Sequence, residues 1–107
     1  MAPTEFLMHV ISRRKLVEFW KVQPDTEASL TDWFKVAETS NWTQWADVQG
    51  SYPKASYYHC CLIFNICGGN YRLIVRRSQN WKTLFVVAVV THAEYDRDVW
   101  KKNCDCR

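Results

Sequence analysis

What this sequence holds little of narrows it first. Its 107 residues include only three glycines, three prolines and two methionines. No repeat or low-complexity stretch occurs, so the chain does not read as disordered. Long hydrophobic runs are missing too. The longest, Leu84 to Val90, falls far short of the roughly 20 apolar residues that a membrane-spanning helix needs. The opening "MAPTEFLMHVISRRK" shows no basic segment ahead of a long apolar one, so no export signal and a cytoplasmic location are expected. Metal-ligand spacing is absent as well. The "CDC" at 104–106 has no second spaced pair and His9, His59 and His92 are scattered, so no metal or other cofactor is expected. An odd count of five cysteines (Cys60, Cys61, Cys67, Cys104 and Cys106) without an export signal argues against a disulfide framework. Cys60 and Cys61, adjacent in an expected strand, should point to opposite faces. They read as small buried apolar residues, and the tail pair as reactive.

What is present is a core. Hydrophobic residues make up 48% of the chain, with six tryptophans, five tyrosines and five phenylalanines. That length and composition suit one domain over residues 1–107, with 1–7 and 99–107 expected as a flexible extension and tail. Charge is uneven. Residues 1–50 carry five Lys/Arg against seven Asp/Glu, and residues 51–107 carry nine against four. A basic C-terminal half points to a polyanion partner, or else to an ordinary solvated surface.

Periodicity orders the elements. "LMHVIS" (7–12) predicts a short strand, and Ser12 a cap for a helix through "RRKLVEFWKVQ" that Pro24 ends. Asp25 is the expected cap of a second helix in "DTEASLTDWFKVAETS", where Leu30, Trp33, Phe34 and Ala37 recur at helical spacing. Thr43 and Gly50 bracket a third helical turn, and "SYP" forces an extended chain. From Tyr57 the period becomes two: "YYHCCLIFNIC", a "GGN" turn, "YRLIVRRS", a "QNWK" turn and "TLFVVAVVTH" read as three strands in a meander. The tail is expected to form one helical turn. The class is α+β, with helices packed on one face of a small antiparallel sheet.

The free face of that sheet should carry function. Alternation sets Arg72, Ile74 and Arg76 opposite Tyr71, Leu73 and Val75. It also groups Leu84, Val86, Ala88, Val90 and His92 on one face of the last strand. A mid-strand arginine is costly to bury unless an anion meets it. Arg72 therefore awaits a ligand anion or pairs with Glu94 or Asp96. The polar "THAEYD" (91–96), directly after the most apolar strand, either caps that strand or delivers reacting groups.

Four stretches in order, "HVISRRKLVEFW", "ADVQGSYP", "FNICGGNYRLIV" and "THAEYD", resemble the HigB family of toxins within the RelE/ParE-like group. The likeness runs from about Met8 to about Asp98, and "MAPTEFL" reads as an extension to it. The resemblance implies helices on one side of a small twisted antiparallel sheet. It also implies an mRNA interferase that cleaves translated messages on the ribosome without a metal, neutralised by a HigA-like helix-turn-helix antitoxin. Such chemistry uses the substrate's 2′-hydroxyl against the adjacent phosphate, helped by a base, a cation for the phosphorane oxygens and an acid at the leaving oxygen. By the resemblance Arg72 meets the scissile phosphate, His92 is acid or base, and Tyr95 stacks on a base or relays a proton. Asn65 positions a hydroxyl or orients Arg72. Relatives that carry lysines on the first hairpin strand differ from this chain, where His59 is the substitute cation. Arg13, Arg14, Lys15, Arg76, Arg77, Lys101 and Lys102 are the candidates for contacting RNA. The rival readings are a ParE-like gyrase-inhibiting toxin, a non-catalytic RNA-binding module, and a cysteine-nucleophile enzyme. The last is disfavoured because apolar strand cysteines make poor thiolates.

Overall fold

The computed structural model describes residues 8–106, so the extension at 1–7 lies outside the described residues. Five strands, β1 (His9–Ile11), β2 (Ser56–Tyr58), β3 (Cys61–Ile66), β4 (Tyr71–Arg77) and β5 (Thr83–Thr91), form one sheet in the order β1-β5-β4-β3-β2. β2 to β5 make the antiparallel meander, and β1 joins β5 in parallel at the edge. Among the described residues, four α-helices complete the α+β fold: α1 (Arg13–Val22), α2 (Glu27–Thr39), α3 (Trp45–Ser51) and α4 (His92–Asp96).

The "YYHCCLIFNIC" run is two strands rather than one. His59 takes a positive φ of 50°, which turns the chain so that Tyr57 faces Leu62 and Tyr58 faces Cys61. Histidine is among the residues that tolerate the left-handed region better than most.

Helix ends also move from their expected places. Ser12 does precede α1, but in a left-handed conformation and without a side-chain cap bond. A 3-10 turn, Pro24–Thr26, intervenes before α2, whose cap residue is Thr26 rather than Asp25. α3 runs through Gly50 to Ser51. Thr43 stands just ahead of it, donating from its backbone N–H and its hydroxyl to Asp47 at 3.0 and 3.1 Å. The backbone bond from Thr43 is the main reason the Asp47 carboxyl titrates below its ordinary range.

The principal core lies between the sheet and α1, α2 and α3. Leu16, Leu30, Trp33, Trp42 and Val48 meet Leu62, Phe64, Leu73, Val75, Leu84 and Val86. Phe64 sits at its centre, with ring centroids 5.4 Å from Trp33 and 5.9 Å from Trp42. Truncating such a residue to alanine costs about 3–5 kcal/mol.

A bulge in β5 changes which residues share a face. Ile74 pairs with Ala88 while Val75 pairs with Val86, leaving Val87 as the extra residue. Leu84 and Val86 therefore pack under the helices, whereas Ala88 and Val90 belong to the opposite face. Strict alternation fails here because a bulge shifts the register by one residue. The Lys15 ammonium donates to the Val87 carbonyl at 3.1 Å, so the bulged residue keeps a partner.

The tail covers that opposite face instead of fraying. Val99–Asn103 forms a 3-10 helix after Asp98, which takes a φ of 61°. Trp100 and Cys104 are buried with Cys61, Ile63, Ile74 and Val90. Two disulfides, Cys60–Cys106 and Cys61–Cys104, hold it there. This overturns the reading of the cysteines as unpaired. Cys60 lies in the turn rather than in a strand, so both adjacent cysteines reach the tail, and only Cys67 is free. Odd-count arithmetic could not see a pairing set by a tail folding back over 43 and 46 residues.

Candidate functional site

The tail face of the sheet brings Arg72, His92 and Tyr95 together. The "GGN" turn sets the arginine. Gly69 adopts a φ of 96°, a backbone conformation that suits glycine, and its carbonyl accepts a hydrogen bond from Arg72 Nη1. The same nitrogen donates to the Tyr71 carbonyl at 3.3 Å. Arg72 Nη2 lies 3.1 Å from His92 Nε2, and the guanidinium carbon sits 5.5 Å from the centre of the Tyr95 ring. Neither Glu94 nor Asp96 pairs with Arg72. Glu94 is held by the Thr91 backbone, and Asp96 faces His92.

His92 is the first residue of α4, one step beyond the strand that was expected to contain it. Thr91 ends β5 and caps α4. Its hydroxyl accepts from the Glu94 N–H at 3.2 Å, and the Glu94 carboxylate accepts from the Thr91 N–H at 3.1 Å. This capping box satisfies two backbone donors that the helix start leaves open. Within "THAEYD", Thr91 and Glu94 cap, while His92 and Tyr95 stand beside Arg72.

The hydrogen bond assigns a proton. A guanidinium can only donate, so Nε2 of His92 accepts and the neutral ring carries its proton on Nδ1. Nδ1 faces the Asp96 carboxylate at 3.8 Å, with both side chains largely exposed. Tyr95 is braced from behind. Its ring stacks on Trp100 at 5.1 Å and 8°, and the Trp100 indole N–H donates to the Tyr95 carbonyl at 3.0 Å.

The remaining candidates divide. Asn65 is the register partner of Arg72 and exposed, yet the guanidinium bonds run to Gly69, Tyr71 and His92. Asn65 also borders a cavity with Tyr52, Pro53, Lys54 and Ala55. His59 stands at the opposite end of the sheet, beside the Arg77 end of β4. Arg77 lies five residue steps along β4 from Arg72, about 17 Å. Arg76 stacks over Phe85 and borders a cavity shared with Lys15 and Asn103. Lys101 lies over the Tyr58 ring and pairs with Asp98 at 3.3 Å. Lys102 shares a cavity of about 310 Å³ with Arg97, Glu94 and Trp100. Arg13 stacks on Trp20 and Phe34 at the α1–α2 side, Arg14 pairs with Glu18, and Arg77 covers Trp81. The basic residues thus do not gather on one side. Sequence reading missed Trp100, which stacks on Tyr95. The only signal for Trp100 was a lone aromatic in a polar tail.

A sheet covered by three helices on one face, with a compact polar group at the end of its longest strand, fits the class of small RelE-like toxins. A family model described as HigB toxin, the RelE-like toxic component of a toxin-antitoxin system, matches residues 26–98. The chain belongs to the HigB toxin family: it is the toxin of a toxin–antitoxin system, and an antitoxin is the partner this implies. No curated protein matches the chain. Among the described residues, no helix is long and apolar enough to cross a membrane.

Proposed function

We propose that the toxin is an mRNA interferase, a metal-independent endoribonuclease that cleaves translated messages on the ribosome in the cytoplasm. The observation that carries this reading is the 3.1 Å contact between Arg72 and His92, with no carboxylate of the described residues on the arginine. A permanent cation without an anionic partner, on an accessible face, is prepared for a phosphate.

In the reaction the scissile phosphate replaces His92 as an acceptor for the Arg72 Nη2–H. That exchange frees the Nε2 lone pair to take the proton of the substrate 2′-hydroxyl. The 2′-oxygen then bonds to phosphorus and the bond from phosphorus to the 5′-oxygen breaks. The leaving oxygen takes a proton from water, the imidazolium later returns its own proton to solvent, and the products are a 2′,3′-cyclic phosphate and a 5′-hydroxyl. Arg72 stabilises the phosphorane charge, a contribution of several kcal/mol. The Asp96 carboxylate, facing the Nδ1–H, stabilises the imidazolium as it forms. Tyr95, held between Trp100 and the Arg72 guanidinium, borders the bound nucleotide and relays a proton through its hydroxyl, and Asn65 lies on the adjacent strand to orient the ribose. Lys15, Arg76, Lys101 and Lys102 guide the RNA backbone along the tail face, and Arg13, Arg14 and Arg77 serve wider contact with ribosomal RNA. His59 stands too far from Arg72 to supply the missing cation. The antitoxin in this reading is a HigA-like helix-turn-helix protein.

Primer extension on a message translated with the purified toxin tests the proposal. Discrete cleavage ends in coding sequence are expected. An intact message with arrested growth would instead favour a gyrase-directed toxin on the same fold, and binding without ends a non-catalytic RNA module.

A further inference from the structure

α4 raises a problem of support. It has five residues, none of them buried, and a helix that short gains little stability of its own. Yet it carries His92 and Tyr95. The capping box fixes its start. Its other end is fixed by Trp100, whose ring stacks on Tyr95 at 8° and whose indole N–H donates to the Tyr95 carbonyl at 3.0 Å. Trp100 is itself only 6% exposed and meets the Tyr58 ring edge-on at 5.8 Å. The segment that bears it is tied to the β2–β3 turn by both disulfides and by the Cys60 N–H bonded to the Cys104 carbonyl at 3.1 Å.

We infer that Trp100 is a positioning residue: through its stack and its hydrogen bond it holds Tyr95 over the Arg72 guanidinium, on a mount that the two disulfides anchor. The inference rests on the nuclease reading for its effect on rate, and on geometry alone for its effect on Tyr95. One face of Tyr95 lies on Trp100 and the other toward the Arg72 guanidinium. A ring held this way keeps the guanidinium aimed at the phosphate while charge develops there, so the contribution falls on turnover rather than on affinity for the ribosome.

The test uses the full, oxidised chain and four variants: Trp100→Phe, Trp100→Leu, Tyr95→Ala and the Tyr95→Ala/Trp100→Leu pair. Single-turnover cleavage on programmed ribosomes is read beside the NMR shifts of the Tyr95 ring protons, assigned with Tyr95→Phe. Trp100→Leu is expected to lower the rate constant about tenfold with half-saturation little changed, and to move the Tyr95 ring shifts as the indole ring current is lost. Trp100→Phe, which keeps a stacking ring, should stay within about threefold of wild type. In the Tyr95→Ala background, Trp100→Leu should have no further effect, as expected of residues acting through one contact. Multiplying effects, or unmoved Tyr95 shifts in Trp100→Leu, would overturn the inference. If the wild-type chain leaves RNA whole, the nuclease reading fails separately, and the ring shifts still decide whether Trp100 holds Tyr95.

Discussion

Arg72 and His92 share a single hydrogen bond, donated from the guanidinium Nη2 to the imidazole Nε2 at 3.1 Å. The two residues come from β4 and from the first position of α4. The contact therefore depends on the register of Arg72 opposite Val90 and on the turn made at Thr91.

Replacing Arg72 by alanine should abolish cleavage and leave the fold nearly as stable. Its partners are two backbone carbonyls, a neutral ring nitrogen and an aromatic face, so deletion leaves no stranded charge. The expected loss is about 1 kcal/mol. A structural arginine paired with a buried carboxylate would lose about 3 kcal/mol or more. Denaturant melts of Arg72→Ala against wild type separate these values.

Thr91→Ala removes half of the capping box and should cost about 1 kcal/mol. It should also slow cleavage beyond what that instability explains, because His92 is the residue immediately inside the cap. Thr91→Ser keeps the hydroxyl and should retain both stability and rate. If Thr91→Ala cleaves at the wild-type rate, the cap does not place His92.

The disulfides should stabilise as one unit. Their separations of 43 and 46 residues are nested, so closing either loop removes most of the entropy that the other would remove. Opening both by reductant should cost about 4 kcal/mol in the chain-entropy account, and removing one by paired serine substitution about 1 kcal/mol or less. Urea melts of the Cys60→Ser/Cys106→Ser chain, with and without reductant, check this. Equal losses for the single opening and the full reduction would contradict it.

These tests fall where sequence and structure part. The buried face of α2 was legible because Leu30, Trp33 and Ala37 recur at helical spacing, and all three are buried. The three-strand meander from β3 to β5 was legible from "GGN" and "QNWK", since turn residues act locally. What escaped depended on distant partners. The left-handed His59 that splits a strand, the extra Val87 in β5 and the return of the tail over Cys60 and Cys61 leave no local pattern. The bulge alone moved Ala88 and Val90 away from Leu84 and Val86. For the site, Arg72, His92 and Tyr95 were marked by residue type and resemblance, and the fold brings those three together. His59 was marked by residue type too, but the opposite end of a sheet is invisible to composition. Trp100 was hidden for the same reason as the disulfides: its role exists only once the tail is folded back.

The most direct measurement is single-turnover cleavage of a message on programmed ribosomes by wild type and His92→Gln, with ribosome binding measured in parallel. His92 is largely exposed, and among the described residues its ring bonds to Arg72 and faces Asp96, so glutamine should leave fold and binding unchanged. The account predicts that cleavage falls by about 100-fold or more, the scale of a lost general acid or base. Rates that agree within a few-fold while binding is retained would contradict it, and would reduce "THAEYD" to the cap that Thr91 and Glu94 already make.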